Sequence, residues 1–221
     1  MRALIHERSV LFAIVLTVVA AALGHGCAKD EGRERSGKAV GTLKETRDEL
    51  AGTQKQIDEV LAAAGTVQSG QGDLKSSYEK YRKEVAETEE AARDVRKRAD
   101  DMRARSREYQ TKWQEEMSMV SNPDLKAAAQ ARAAKVQGRY AMISAKSQDA
   151  KAAYDPFIRD LKDLQTYLSN DLTPAAVQAA SPVFDKVKAS GQVVKQKLTA
   201  LQQELDDVAA EISPDASSGG R

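Results

Sequence analysis

Stepping by four and three from residue 74 meets Leu74, Tyr78, Tyr81, Val85, Thr88, Ala92, Val95, Ala99, Met102, Ser106, Tyr109, Trp113, Glu116 and Val120. Eleven of these 14 positions are apolar or aromatic, a coiled-coil register held over seven heptads. A stripe of that length suits a long helix with partners along its flank and little else. Asp73 is a good N-cap for it, and Pro123 stops it from running on past Asn122. At ~1.5 Å per residue the helix is about 70 Å long.

The rest of the chain divides in the same way. Breakers are few: Gly65, Gly70 and Gly72, then Asn122 and Pro123, then Thr173 and Pro174. The third segment carries Val136, Tyr140, Ile143, Ser147, Ala150, Tyr154, Phe157, Leu161, Leu164 and Leu168, with Pro156 expected to kink or break it. The fourth carries Phe184, Val187, Gly191, Val194, Leu198, Leu201, Leu205, Val208 and Ile212, after a weak start at Ser181 and Pro182. The first is the poorest: Leu43, Arg47, Leu50, Gln54, Ile57, Leu61 and Ala64. No useful strand alternation occurs. The chain reads as all-α: an elongated antiparallel bundle of four helices in one domain, residues 39–213. It should be four helices deep at the base and thin to a bare coiled-coil hairpin of helices two and three at the Asn122 and Pro123 tip. With few apolar residues per unit length the stability is modest, and self-association as a homo-oligomer stays open.

Before the bundle lies a targeting segment, residues 1–26, read as a signal peptide. Arg2 and Arg8 precede an apolar run, residues 10–23, which as a helix spans ~21 Å and falls short of a ~30 Å hydrocarbon core. Cys27, the single cysteine, follows Gly26 and has no partner for a disulfide within the chain. It is the expected lipid-attachment residue, although Gly24 stands where a lipobox usually has leucine. Ordinary signal cleavage and an uncleaved anchor are the alternatives. Ala28, where an Asp would signal inner-membrane retention under enteric sorting rules, leans toward the outer membrane. The polar residues 28–38, with Gly32 and Gly37, read as a flexible spacer between lipid and domain, and residues 214–221 as a disordered tail.

Composition narrows the chemistry. The only histidines are His6 and His25, both in the targeting segment. Histidine acid–base catalysis, Ser-His and Cys-His nucleophiles and His- or Cys-bound zinc therefore have no residues to use. No cofactor or metal is implied, and the expectation is a protein that is not an enzyme. Of 34 basic and 33 acidic residues, Arg2, Arg8 and Glu7 precede Cys27, so the remainder is charge-balanced. That favours neither nucleic acid nor anionic lipid as a partner.

Individual candidates are few. The basic run from Arg93 to Arg107 is interleaved with Asp94, Asp100, Asp101 and Glu108, and Glu89–Arg93, Asp94–Arg98 and Asp101–Arg105 have helix-pair spacing. It reads as a solvated face. Glu116, between Trp113 and Val120, is a candidate buried acid set against partial exposure at the thin tip. Residues 65–72 are glycine-rich but follow a helix and lack the Gly-Lys-Ser/Thr ending of a phosphate loop. Met117, Met119, Val120 and Leu125 form a small apolar cluster at the hairpin tip, read either as tip packing or as a dock for a partner.

Gly72, Asp73 and Leu74 followed by Tyr78 and Glu79, the charged helix ending in Trp113, Asp155 and Pro156 leading to Phe157, and the run over residues 161–172 together resemble a family of uncharacterised bacterial lipoproteins known only as a domain of unknown function. The likeness covers residues 40–212 and implies a signal peptide and a helical periplasmic domain, with no catalytic or binding residues to carry over. The expected function is a non-enzymatic scaffold or adaptor, lipid-anchored on the periplasmic side of the cell envelope, that contacts an unknown envelope protein. The alternative is a membrane-active protein that opens to lay its apolar seams on lipid, which a basic polar face would favour.

Overall fold

A computed structural model describes residues 28–213. They form α1 (Ala28–Ser69), α2 (Leu74–Ser118), α3 (Pro123–Asn170), the six-residue α4 (Pro174–Ala179) and α5 (Ser181–Ile212). The fold is an all-α bundle, as the heptads require. The expected signal peptide, Cys27 and the C-terminal tail lie outside the described residues.

Local chemistry sets the ends of the helices. Gly70 and Gly72 adopt φ of 62° and 77°, a left-handed region that a side chain would disfavour, and they turn the chain from α1 into α2. The Asp73 carboxylate accepts from the amides of Lys75 and Ser76, so the expected N-cap of α2 is formed. Asn122 caps α3 through Asp124 and Leu125, with Pro123 in the first turn, where a missing N–H costs nothing. The weak start of the fourth segment resolves into α4, capped by Thr173, and a fresh start of α5 with Pro182 in its first turn.

Cross-links fix the topology. Gln56, Glu45 and Arg35 of α1 meet Glu84, Arg98 and Glu116 of α2 in reverse order. Gln68, Asp58 and Arg47 meet Asp185, Lys195 and Asp206 of α5, and Asp160, Asp149 and Lys135 of α3 meet Lys186, Lys197 and Glu211. Tyr78, Tyr81 and Tyr154 join α2 to α3. Each of the four long helices is thus antiparallel to two neighbours, in an up-down-up-down bundle.

Three expectations need correction. Residues 28–38 are not a spacer: they are the first turns of α1, with Ser36 buried and Arg35 bound to α2. The first helix therefore covers 42 described residues, about 63 Å at ~1.5 Å per residue, and the bundle takes in residues 28–38 as well. The tip is consequently no bare hairpin. Beyond the end of α5, three helices continue together: the start of α1, the end of α2 and the start of α3. Lastly, α3 runs unbroken through Pro156.

Every residue assigned to the seams of the second, third and fourth segments is buried or half-buried. In α1 the register is partly shifted: Leu43, Leu50, Ile57 and Ala64 are buried as expected, but Thr46, Thr53 and Val60 face the core in place of Arg47, Gln54 and Leu61.

Burial raises the phenol of Tyr154 to about 12, and that of Tyr81 further. Their ionised forms fit the unfolded chain better than the fold. The stability linked to them is complete below pH ~10 and is lost as pH climbs toward 12, by up to about 1.4 kcal/mol per pH unit per tyrosine. Thermal melts between pH 9 and pH 11.5 should show this loss, and Tyr81→Phe with Tyr154→Phe should flatten it. An equally steep loss in the double variant would assign the alkaline limit to other groups.

Candidate functional site

The apolar tip is built by the three-helix end of the bundle. Met117 lies in the last turn of α2, Met119 caps that helix, Val120 lies in the link and Leu125 in the first turn of α3. Met119 and Leu125 are 74% and 61% exposed, more than any other large hydrophobic among the described residues. Met117 and Val120 are half-buried. The structure divides the four into two half-buried residues and two exposed ones.

Glu116 is not an isolated buried acid. Nη2 of the Arg35 guanidinium donates to both of its carboxylate oxygens at 2.5 Å, a charge-assisted clamp between the second turn of α1 and the last turns of α2. Sequence reasoning missed Arg35 because it had placed it in the spacer. Below the clamp, Tyr109, Trp113, Arg132 and Val136 line a shallow cleft between α2 and α3. Burial pushes the Tyr109 phenol upward, and Arg132 and Arg35 oppose the shift.

The basic run behaves as a solvated face, although with other partners than the spacing suggested. Arg98 reaches Glu45 on α1, Arg103 binds Asp100, Arg105 binds Glu108, and Glu89 is taken by Lys162 of α3. Arg98 and Arg105 thus pair with acids other than their (i, i+4) neighbours Asp94 and Asp101.

One group of carboxylates escaped the sequence reading: Glu59, Glu84 and Glu87 bring oxygens within 4.8 Å of one another across α1 and α2. Their charge is already served. Lys55 pairs with Glu59 at 3.5 Å, Lys83 with Glu87 at 3.0 Å, and Gln56 donates to Glu84 at 2.9 Å. The Lys83 ammonium is accordingly raised, chiefly by its hydrogen bond to Glu87. This is a cross-linked polar patch and not a vacant donor set.

No helix among the described residues is long and apolar enough to cross a membrane. The model of a family of proteins of unknown function, DUF2959, matches residues 27–213, and the chain belongs to that family. No curated protein and no solved structure matches the chain.

Proposed function

We propose that this DUF2959 protein is a non-enzymatic scaffold, anchored at its N-terminal end to a bacterial envelope membrane through lipid on Cys27 and acting by protein contact on the periplasmic side. The observation that carries this reading is that the chain is already helical at Ala28, the first described residue and the one that follows Cys27. A lipid there would hold a helical rod about 65 Å long without slack, at ~1.5 Å per residue. The apolar run before Cys27 and the histidine-free remainder of the chain support the same reading. An outer-membrane location is the finer form of the proposal.

Cells expressing the wild type and Cys27→Ala, fed a fatty-acid analogue, test the anchor. Label and membrane retention should both be lost in the variant. An unlabelled wild type still held in the membrane would make residues 10–23 the anchor; an unlabelled soluble wild type would refute anchoring altogether. Photo-crosslinkers at the exposed Lys97 and Lys188 test the scaffold role. A discrete adduct with one envelope protein, lost with Cys27→Ala, is the expected result, and none at either position counts against it.

A further inference from the structure

We infer that the α2–α3 tip rests on the same bilayer that holds the N-terminal end, so that the closed bundle stands on Met119 and Leu125 with its other end raised into the aqueous space. This rests on the membrane attachment proposed above and assigns the tip to lipid instead of a protein partner.

Three observations converge. First, Ala28, the first described residue and already helical, lies five residues past Leu23, the end of the apolar run. Even fully extended, five residues span only about 17 Å. The attachment point is therefore close to the start of α1, whether lipid on Cys27 or the apolar run itself enters the membrane. Second, the Arg35–Glu116 clamp holds that start beside the last turns of α2. Seven residues separate Arg35 from Ala28, about 10 Å along the axis, so the first described turn of α1 reaches the level of the tip. Third, the tip presents the two most exposed large hydrophobics among the described residues, Met119 and Leu125, with Met117 and Val120 half-buried. The loops at the opposite end, residues 70–73 and 171–173, expose none.

Charge gives the contact its character. Lys112 is paired with Glu115, and the first turn of α3 carries one acid, Asp124, and one base, Lys126. A balanced rim provides no attraction to anionic headgroups, so the contact is apolar and persists on zwitterionic lipid. It differs from a seam-opening mechanism because the bundle remains intact.

The test uses the full chain purified from membranes with one introduced thiol, Ser121→Cys at the tip or Gln71→Cys at the far end, both exposed, and the parent chain carried through the same labelling corrects for any Cys27 that bears no lipid. Each is labelled with an NBD fluorophore and placed in phosphatidylcholine vesicles carrying nitroxide lipid. The expected result is blue-shifted, nitroxide-quenched emission at 121 and solvent-like emission at 71. Adding Met119→Asp and Leu125→Asp should return 121 to solvent while the protein still floats with the vesicles and melts as before. Vesicle-bound protein with both probes in solvent, or with 71 quenched, overturns the tip contact and leaves the anchor intact. Shielding of 121 only after addition of envelope protein would assign the tip to a protein and also overturn it. Failure of the parent protein to float would overturn the anchor, and the tip contact with it.

Discussion

Replacing Arg139 and Lys146 together with methionine should destabilise the bundle by about 3–5 kcal/mol, the cost of leaving a buried carboxylate without its partners. The carboxylate is Glu204, on the seam of α5 beside Leu205 and only 2% exposed. Arg139 donates to its Oε1 at 3.2 Å and Lys146 to its Oε2 at 3.0 Å, both from α3. The two cations are about one third exposed, and Arg139 also holds Asp207 at 3.4 Å. The roles are thus unequal: the cations have water as an alternative, and the acid has none. Glu204→Leu alone should therefore cost little, since both cations can turn outward. Added to the double variant, it should restore most of the lost stability. Urea unfolding with an unchanged m-value measures all three effects. A double variant within about 0.5 kcal/mol of wild type would show that Glu204 reaches water despite its burial.

The same seam shows what periodicity reveals and what it hides. Large apolar residues at three- and four-residue spacing identified the buried faces of α2, α3 and α5, because a long helix has no other use for such a stripe. In α1 the rule selected Arg47, Gln54 and Leu61, since Thr46 and Thr53 do not look like core residues. Their hydroxyls donate within the helix, to the carbonyls of Thr42 at 2.7 Å and Glu49 at 3.1 Å, and so enter the core already satisfied. Small residues suit this helix, which is packed between α2 and α5. Residues 28–38 were misread for a related reason. Two glycines and a run of charges describe the segment alone, whereas its helicity is sustained by α2, through Arg35 on Glu116 and the burial of Ser36 and Ala39. A signal was available in the heptads of α2, which continue through Met102, Ser106, Tyr109 and Trp113 and so require cover from more than one neighbour.

Pro156 tells the opposite story. A proline inside a helix costs roughly 3 kcal/mol through a lost hydrogen bond and a steric clash. Here Tyr154 and Phe157 flank it, both buried, with rings edge to face at a centroid distance of 6.3 Å. Burial of two aromatic side chains, at roughly 1.5–3 kcal/mol each, is enough to carry the helix through the proline. The residues at the tip were legible because four apolar side chains beside an Asn-Pro turn are conspicuous. Their occupant was not, because it depends on where α1 starts, and only the folded arrangement brings that start to the tip.

Phe157→Ala should be the most damaging single substitution, at about 3–5 kcal/mol, because the side chain is fully buried where α1, α3 and α5 converge. The convergence is possible because α5 has glycine at residue 191. A Cβ added there would lie 2.9 Å from Leu61 Cδ1 and 3.1 Å from Phe157 Cε2. Gly191→Ala meets the movable end of Leu61, a partly buried side chain, and gains about 1 kcal/mol of helix propensity, so it should be close to neutral. Gly191→Leu has no such release against the Phe157 ring and should cost about 1–3 kcal/mol. Combined with Phe157→Ala, however, the leucine would occupy the space the ring vacates, and the double variant should be more stable than the sum of the single losses implies. A coupling of about 0.5–3 kcal/mol in that direction is expected from denaturation midpoints. Strict additivity would mean that Gly191 and Phe157 do not share the space between the helices, and that the close approach of α5 to α3 has another cause.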